Sequence, residues 1–286
     1  DDADWQDEAV WRAANPCLDA GVQDIKSLRE LVEQAKRIPS KEGVFRALHL
    51  NQAVNADDRF VSWDDWQACG GPIDVEGLRG EVCYGGLDLG STQDLTSLVL
   101  YFPASGAVLC WCWLPGDPSL QDRGHKDHVE YQTWANAGYI ETFPGRSTDR
   151  RAVAFRLAEV CSRYDVRGIS FDRWRIEDLR KILSDEGIDV PLREWGQGYR
   201  DMSPAIDALE IEIIEHRLRH GDNPVLTWCV GNVAVSTDPA GSRKFDKGRA
   251  TARIDAAQAL AMATGLAARE PEPVRYDFDR PLVLTA

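Results

Sequence analysis

The sequence predicts an α/β protein: a mixed β-sheet flanked by helices, with a helical extension at its N-terminus. Three observations carry this. Three apolar, strand-like runs with short links follow residue 80. The strand-like runs after them alternate with amphipathic helical segments. Residues 1–79, by contrast, carry helical periodicity and no strand pattern. Short links give an antiparallel meander, and helix-separated strands add to it as further neighbours with helices packed on the faces.

The elements follow in order. In the extension, "SLRELVEQAKRI" sets Leu28, Leu31, Val32, Ala35 and Ile38 on one helical face, with Ser27 as N-cap. Pro39 stops that helix, and Ser40 caps the next through "GVFRALHLN". "SWDDWQAC" is a short helix, and "GGPIDVEGLRG" is the loop that divides residues 1–79 from 80–286. Strands are expected at 82–90, 95–103 and 107–115. A helix in "HKDHVEYQTWANAG", a short strand in "YIETFPG" and a helix in "DRRAVAFRLAEVCSRY" come next, the last with Val153, Leu157, Val160 and Cys161 on one face. The strand at 166–172 ends on Asp172, and the helix after it ends at Gly187. "VPLREWG" is a strand. The following helix takes Ser203 as N-cap and Pro204 as its first residue. A hairpin turns at "DPAG", and "TARIDAAQALAMATGLAA" forms a final helix before a proline-containing, loose tail. This order is the layout of the ribonuclease H-like fold.

Composition narrows the function. The 286 residues are 43% apolar and 28% charged, which suits a soluble globular chain with a sizeable core. No apolar run approaches the length of a membrane span, and the acidic start "DDADWQDEAVW" is no signal peptide. Seven scattered cysteines with no CxxC pair argue against a zinc ribbon and for free thiols in a reducing, cytoplasmic setting. A net charge of −14 argues against binding nucleic acid through overall charge. The segment "SRKFDKGRATAR" runs the other way, with Arg243, Lys244, Lys247, Arg249 and Arg253 against Asp246 alone. No GxxxxGKS or GxxxxGKT loop occurs, so P-loop ATP hydrolysis is not expected. None of the five histidines lies in a nucleophile motif; His125 and His128 read as surface residues.

Three aspartates stand out by position. Asp88 interrupts an apolar strand, where a carboxylate is costly to bury without a partner. Asp172 ends the fourth main strand, and Asp255 opens the last helix. Singly, each has a plain explanation: a turn residue, an N-cap, or an acid favoured by the helix dipole. Jointly they fall where this fold gathers its acids, because the first and fourth strands are neighbours and the last helix crosses them. Three close carboxylates repel unless cations neutralise them, and Mg²⁺ or Mn²⁺ suit such oxygen ligands. Two such ions form the clamp used in phosphodiester cleavage. Lys247, Lys244 and Arg249, near Asp255, and Arg173 and Arg175, beside Asp172, are candidate phosphate contacts. Asp94 reads as a turn residue, with a role at the metals, as a ligand or as a support behind the ligands, as the alternative.

The segments "GLDLGSTQDLTSLVLYF", "FDRW", "NPVLTWCVGNVAVSTD" and "KGRATARIDAAQALAMA" resemble the nuclease domain of the large terminase subunit of tailed bacteriophages. The N-terminal "EAVWRAANPCLD" and "LRELVEQAKRIPSKEGVFRALHLNQ" resemble the stretch that follows the ATPase core in that family. The resemblance implies a two-metal-ion endodeoxyribonuclease that cuts concatemeric viral DNA during genome packaging. It implies Asp88, Asp172 and Asp255 as catalytic metal ligands, with Mg²⁺ or Mn²⁺ as the ions. It also implies double-stranded DNA, the terminase small subunit, the portal and an ATPase domain as partners, no membrane, and a place in the cytoplasm of the infected bacterial host. The family's P-loop ATPase is missing, so the chain reads as an excised or naturally shortened form. Two other readings stay open: a non-catalytic DNA- or portal-binding module, and a ribonuclease H-like resolvase or RNA-cutting enzyme.

Overall fold

The computed structural model describes residues 4–18, 24–37, 45–46, 49–50, 60–90, 94–127, 129–173, 176–250 and 252–270, with backbone alone for 34–37. The meander is present: β1 (Val82–Asp88), β2 (Thr96–Phe102) and β3 (Ala107–Pro115) pair antiparallel, with Leu87 opposite Leu98 and Leu98 opposite Trp111. β4 (Ile140–Phe143) adds parallel to β3. On the other side of β1, β5 (Asp165–Asp172) and then β6 (Leu192–Trp195) add in parallel. The strand order is β4-β3-β2-β1-β5-β6, a mixed sheet of the ribonuclease H-like kind. Its central strands read as near-continuous apolar runs because helices cover both faces.

The helices among the described residues are α1 (Glu8–Ala14), α2 (Ile25–Arg37), α3 (Trp63–Ala68), α4 (Leu120–Asp127), α5 (Tyr131–Asn136), α6 (Arg150–Arg163), α7 (Glu177–Asp185), α8 (Tyr199–Ile214), α9 (Pro224–Gly231) and α10 (Asp255–Arg269). One face of the sheet buries Leu87, Leu98, Phe102, Trp113 and Phe171 against Val153 and Leu157 of α6 and Leu179 and Leu183 of α7. The other buries Tyr84, Val99 and Tyr101 with α8, α9 and α10. Trp11, Leu28, Val32 and Phe45 make a separate N-terminal cluster. None of the helices among the described residues is long and apolar enough to cross a membrane. All seven cysteines are free, and Cys69, Cys83, Cys112 and Cys229 are buried.

Several local expectations need correction. α2 starts at Ile25, because Asp24 rather than Ser27 accepts the exposed first-turn amide, that of Lys26, at 2.9 Å. The helix expected at 125–138 is two helices, α4 and α5, and α4 begins earlier, at Leu120. α8 begins at Tyr199, so Pro204 lies inside it rather than at its first position. That extra turn buries Met202, whose sulfur accepts from the Gln258 amide at 3.1 Å, and this burial outweighs the local Ser-Pro start signal. α9 has no counterpart among the expected elements, although Asn223 caps it by accepting from Val225 and Leu226 at 3.0 Å and Pro224 takes its first position. Pro39, Ser40, His128, Arg175 and the tail beyond Glu270 lie outside the described residues.

The packing of α10 on β1 and β5 sets up the site. Side chains alternate along a strand, so residues 84, 86 and 88 of β1 and 168, 170 and 172 of β5 share the face that α10 covers. Gly86 is bare for a reason: a Cβ there would lie 1.8 Å from the Ala259 carbonyl oxygen of α10. Next to it, the Ser170 hydroxyl donates to the Met262 carbonyl at 3.4 Å. Two residues further along each strand, on the same face, come Asp88 and Asp172.

Gly86→Ala tests this packing. The clash is with backbone, so no rotamer change relieves it, and the variant should lose at least about 2 kcal/mol of unfolding free energy by chemical denaturation. A loss below about 0.5 kcal/mol would show that α10 does not rest on β1 at this point.

Candidate active site

Asp88 and Asp172 stand at the C-terminal ends of neighbouring parallel strands. Leu87 pairs with Phe171, which makes Asp88 and Asp172 the next step of the ladder, about 4.8 Å apart strand to strand. Asp255 is the first residue of α10, where the helix dipole favours an acid. Both Asp88 and Asp255 are buried, 4% and 6% exposed. Their carboxylates converge on one cation: the Lys247 ammonium donates to Asp88 Oδ2 at 2.8 Å and to Asp255 Oδ1 at 2.9 Å.

Lys247 arrives from the turn after the hairpin of β7 (Val235–Thr237) and β8 (Arg243–Phe245). The "DPAG" turn forms as expected, with Asp238 accepting the Ala240 and Ser242 amides at 2.9 Å. Past β8, the Asp246 side chain accepts the Gly248 amide at 2.9 Å and fixes the turn that carries Lys247.

The electrostatics follow from burial. Desolvation raises the Asp88 carboxyl to about 6; Lys247 pulls it down, while Asp255 and Asp172 push it up. Burial also works against the Lys247 charge, but the two carboxylates outweigh it and raise the ammonium's pKa. Asp172 thus bears on Asp88 through its charge, yet it is only half-buried. Among the described residues, no three of His, Cys, Asp and Glu are gathered as a ready metal site. What fits a hard cation is the pair: two buried oxygen donors already aimed at a single positive charge, with Asp172 facing the same side from the next strand.

A cleft of about 400 Å³ opens beside the pair, lined by Asp94, Lys126, Asp127, Lys247, Arg253 and Asp255 among others. Here Asp94 finds its role in the fold: it accepts from Arg253 Nη1 at 2.8 Å. Arg253 Nε also donates to Asp127 Oδ2 at 3.1 Å and to the Tyr131 hydroxyl at 3.2 Å. Arg253 lies two residues before Asp255, so this node ties the start of α10 to the β1–β2 link and to α4 and α5. Its basic segment stands out in the sequence, but nothing there singles out Asp127 or Tyr131 as its partners.

The other candidate phosphate contacts are spread out. Lys244 sits with its ammonium 4.9 Å from the centre of the Tyr199 ring. Arg249 is exposed in the turn two residues beyond Lys247, and Arg173 is exposed beside Asp172. Lys247, the remaining candidate, bridges the two acids in this structure.

A ribonuclease H-like sheet with acids at the ends of two neighbouring parallel strands and at the start of a crossing helix defines a class of α/β domain with an acidic face at one edge of the sheet. A family model described as "Terminase large subunit, endonuclease domain" matches residues 1–271. The large terminase subunit of Enterobacteria phage HK97 is 40% identical over 282 residues, covering 97% of this chain and 55% of that protein. Protein YmfN of Escherichia coli strain K12 is 27% identical over 277 residues, covering 92% of this chain and 60% of that protein. The crystal structure of the HK97 large terminase matches with a TM-score of 0.67 and 40% identity, over 93% of this chain and 55% of that one. The chain belongs to the family of terminase large-subunit endonuclease domains. It spans 55–60% of the length of the curated relatives it matches.

The raised Asp88 pKa predicts a pH signature. Its folded value, about 6, lies above the ordinary 3.8, so between these the folded state binds more protons than the unfolded state. Stability therefore falls as pH rises through that window. Relative to Asp88→Asn, which lacks this proton, the wild type should lose roughly 3 kcal/mol between about pH 4 and pH 6.5 in metal-free denaturation experiments. Parallel stability curves for the two proteins would contradict the burial argument.

Proposed function

We propose that this chain is a metal-dependent endodeoxyribonuclease that cuts concatemeric viral DNA during genome packaging, using Asp88, Asp172 and Asp255. The observation that carries this reading is the convergence of the buried Asp88 and Asp255 carboxylates on one cation, on the face and edge shared with Asp172. Membership of the terminase endonuclease-domain family supports it.

Asp88, Asp172 and Asp255 would hold Mg²⁺ or Mn²⁺, two ions in all. When bound, such ions supply Lewis acidity that lowers the pKa of water and stabilises a leaving oxygen. The protein's own part is positional. The sheet fixes Asp88 and Asp172 on neighbouring strands, and the Arg253 node fixes the end of α10 that carries Asp255. Burial keeps the Asp88 and Asp255 oxygens from being satisfied by bulk water, so an arriving cation meets them poorly screened. Arg173, Lys244 and Arg249 are the proposed contacts to DNA phosphate. Such contacts orient a duplex without reading its sequence, so cutting by this domain alone is expected to be largely sequence-independent. In the same reading the duplex is delivered by a larger assembly of ATPase domain, small subunit and portal, which fits a domain carrying a net charge of −14.

Supercoiled plasmid incubated with the protein and Mn²⁺ or Mg²⁺ should be nicked and linearised, and EDTA should stop the reaction. Asp88→Ala, Asp172→Ala and Asp255→Ala should each lower the rate about 100-fold or more while circular dichroism stays unchanged. Wild-type cutting by any one of these variants would remove that residue from the site. Plasmid bound but never cut would favour a non-catalytic DNA-binding module.

A further inference from the structure

The Lys247 ammonium stands where a metal ion would share oxygens with it. It is held by Asp88 Oδ2 and Asp255 Oδ1, from side chains only 5% and 8% exposed. A divalent ion bound by these same two atoms would sit at or near the ammonium's position, because hard cations lie closer to carboxylate oxygen than a hydrogen-bonded nitrogen does. Two like charges that close, in a poorly solvated site, repel strongly. The ion and the ammonium therefore cannot both occupy this seat.

Lys247 is also built to leave. Its side chain is 48% exposed, whereas those of its two partners are buried. The turn beneath it is held by Asp246, through the Gly248 and Arg249 amides and through its own carbonyl to Ala250, none of which involves the lysine side chain. The cleft of about 400 Å³ alongside gives the long side chain room to swing. Withdrawal thus breaks two hydrogen bonds to the acids and leaves the local backbone intact.

We propose that Lys247 is a resident counter-ion of the Asp88–Asp255 seat, which a divalent cation must displace, so that this side chain sets the protein's metal affinity. The inference rests on the metal-nuclease reading given above. While seated, the ammonium hydrogen-bonds one oxygen of each buried side chain and holds Asp88 and Asp255 close together. The cost is that only molecules with the side chain withdrawn are competent to take a cation at this seat, so the measured affinity is the intrinsic one reduced by that fraction. Lys247 acts here as a positioning residue, through the carboxylates.

The test is Mn²⁺ binding by isothermal titration calorimetry to the wild-type protein and to Lys247→Met, which keeps the apolar stem and removes the charge. Lys247→Met should bind Mn²⁺ about tenfold more tightly. It should also melt at a lower temperature than the wild type in EDTA, and gain more in melting temperature when Mn²⁺ is added. If Lys247→Met does not fold, Lys247→Gln serves for the same comparison. Lys247→Arg, which restores a cation, should return the affinity to near the wild-type value. Equal or weaker Mn²⁺ binding by the neutral variants, with the wild type binding normally, overturns the counter-ion role and leaves the nuclease reading intact. No Mn²⁺ binding by wild type and variants alike overturns the metal reading, and this inference falls with it.

Discussion

The constraint on which the structure depends is the close seating of α10 against bare backbone of β1. At Gly86 the helix carbonyl of Ala259 occupies space that any side chain would claim. Gly265, farther along the same helix, is similarly close to Ala205 of α8. Small side chains on the helix serve the same end: Ala256, Ala257, Ala259, Ala261 and Ala263 are all buried. A bulkier interface would lift the helix and draw Asp255 away from Asp88. Packing of apolar atoms thus sets the distance between two charges.

Those charges would be unfavourable if left alone. A buried carboxylate without a partner is costly, and two side by side cost more. The fold answers with a cation from a third element, the turn after β8. A second cationic node, Arg253 with Asp94, Asp127 and Tyr131, lies close by at the start of α10. The two nodes differ in freedom. The Arg253 side chain is 18% exposed and held from several sides, while that of Lys247 is 48% exposed and held only through its tip. One cation anchors the helix, and the other is placed to exchange.

Much of this was legible in the sequence, for physical reasons. The three-stranded meander, the helix-separated strands and the final helix follow from apolar periodicity and short links. The meeting of Asp88 with Asp255 follows only from the fold as a whole, which sets the first strand and the start of the last helix side by side; singly, each acid has a plain local explanation. What stayed hidden depends on contacts between distant segments. Ser203 and Pro204 look like a helix start, and only the burial of Met202 against Gln258 reveals the earlier one. Lys247 sits in a basic run, which suggests phosphate; nothing in a linear chain says that its ammonium turns inward to Asp88. Asp94 is ambiguous for the same reason, since its partner Arg253 comes from the far end of the fold.

The bond from Lys247 to Asp88 joins positions 159 apart in the chain. Such long-range closure is slow to form and comes after local structure. A chain still being synthesised carries the meander and Asp88 long before the hairpin turn or α10 has been made. The acidic seat is therefore assembled last, from segments at opposite ends of the sheet domain. Under the proposed function, a nascent or partly folded molecule holds the pieces of a DNA-cutting centre without the centre itself.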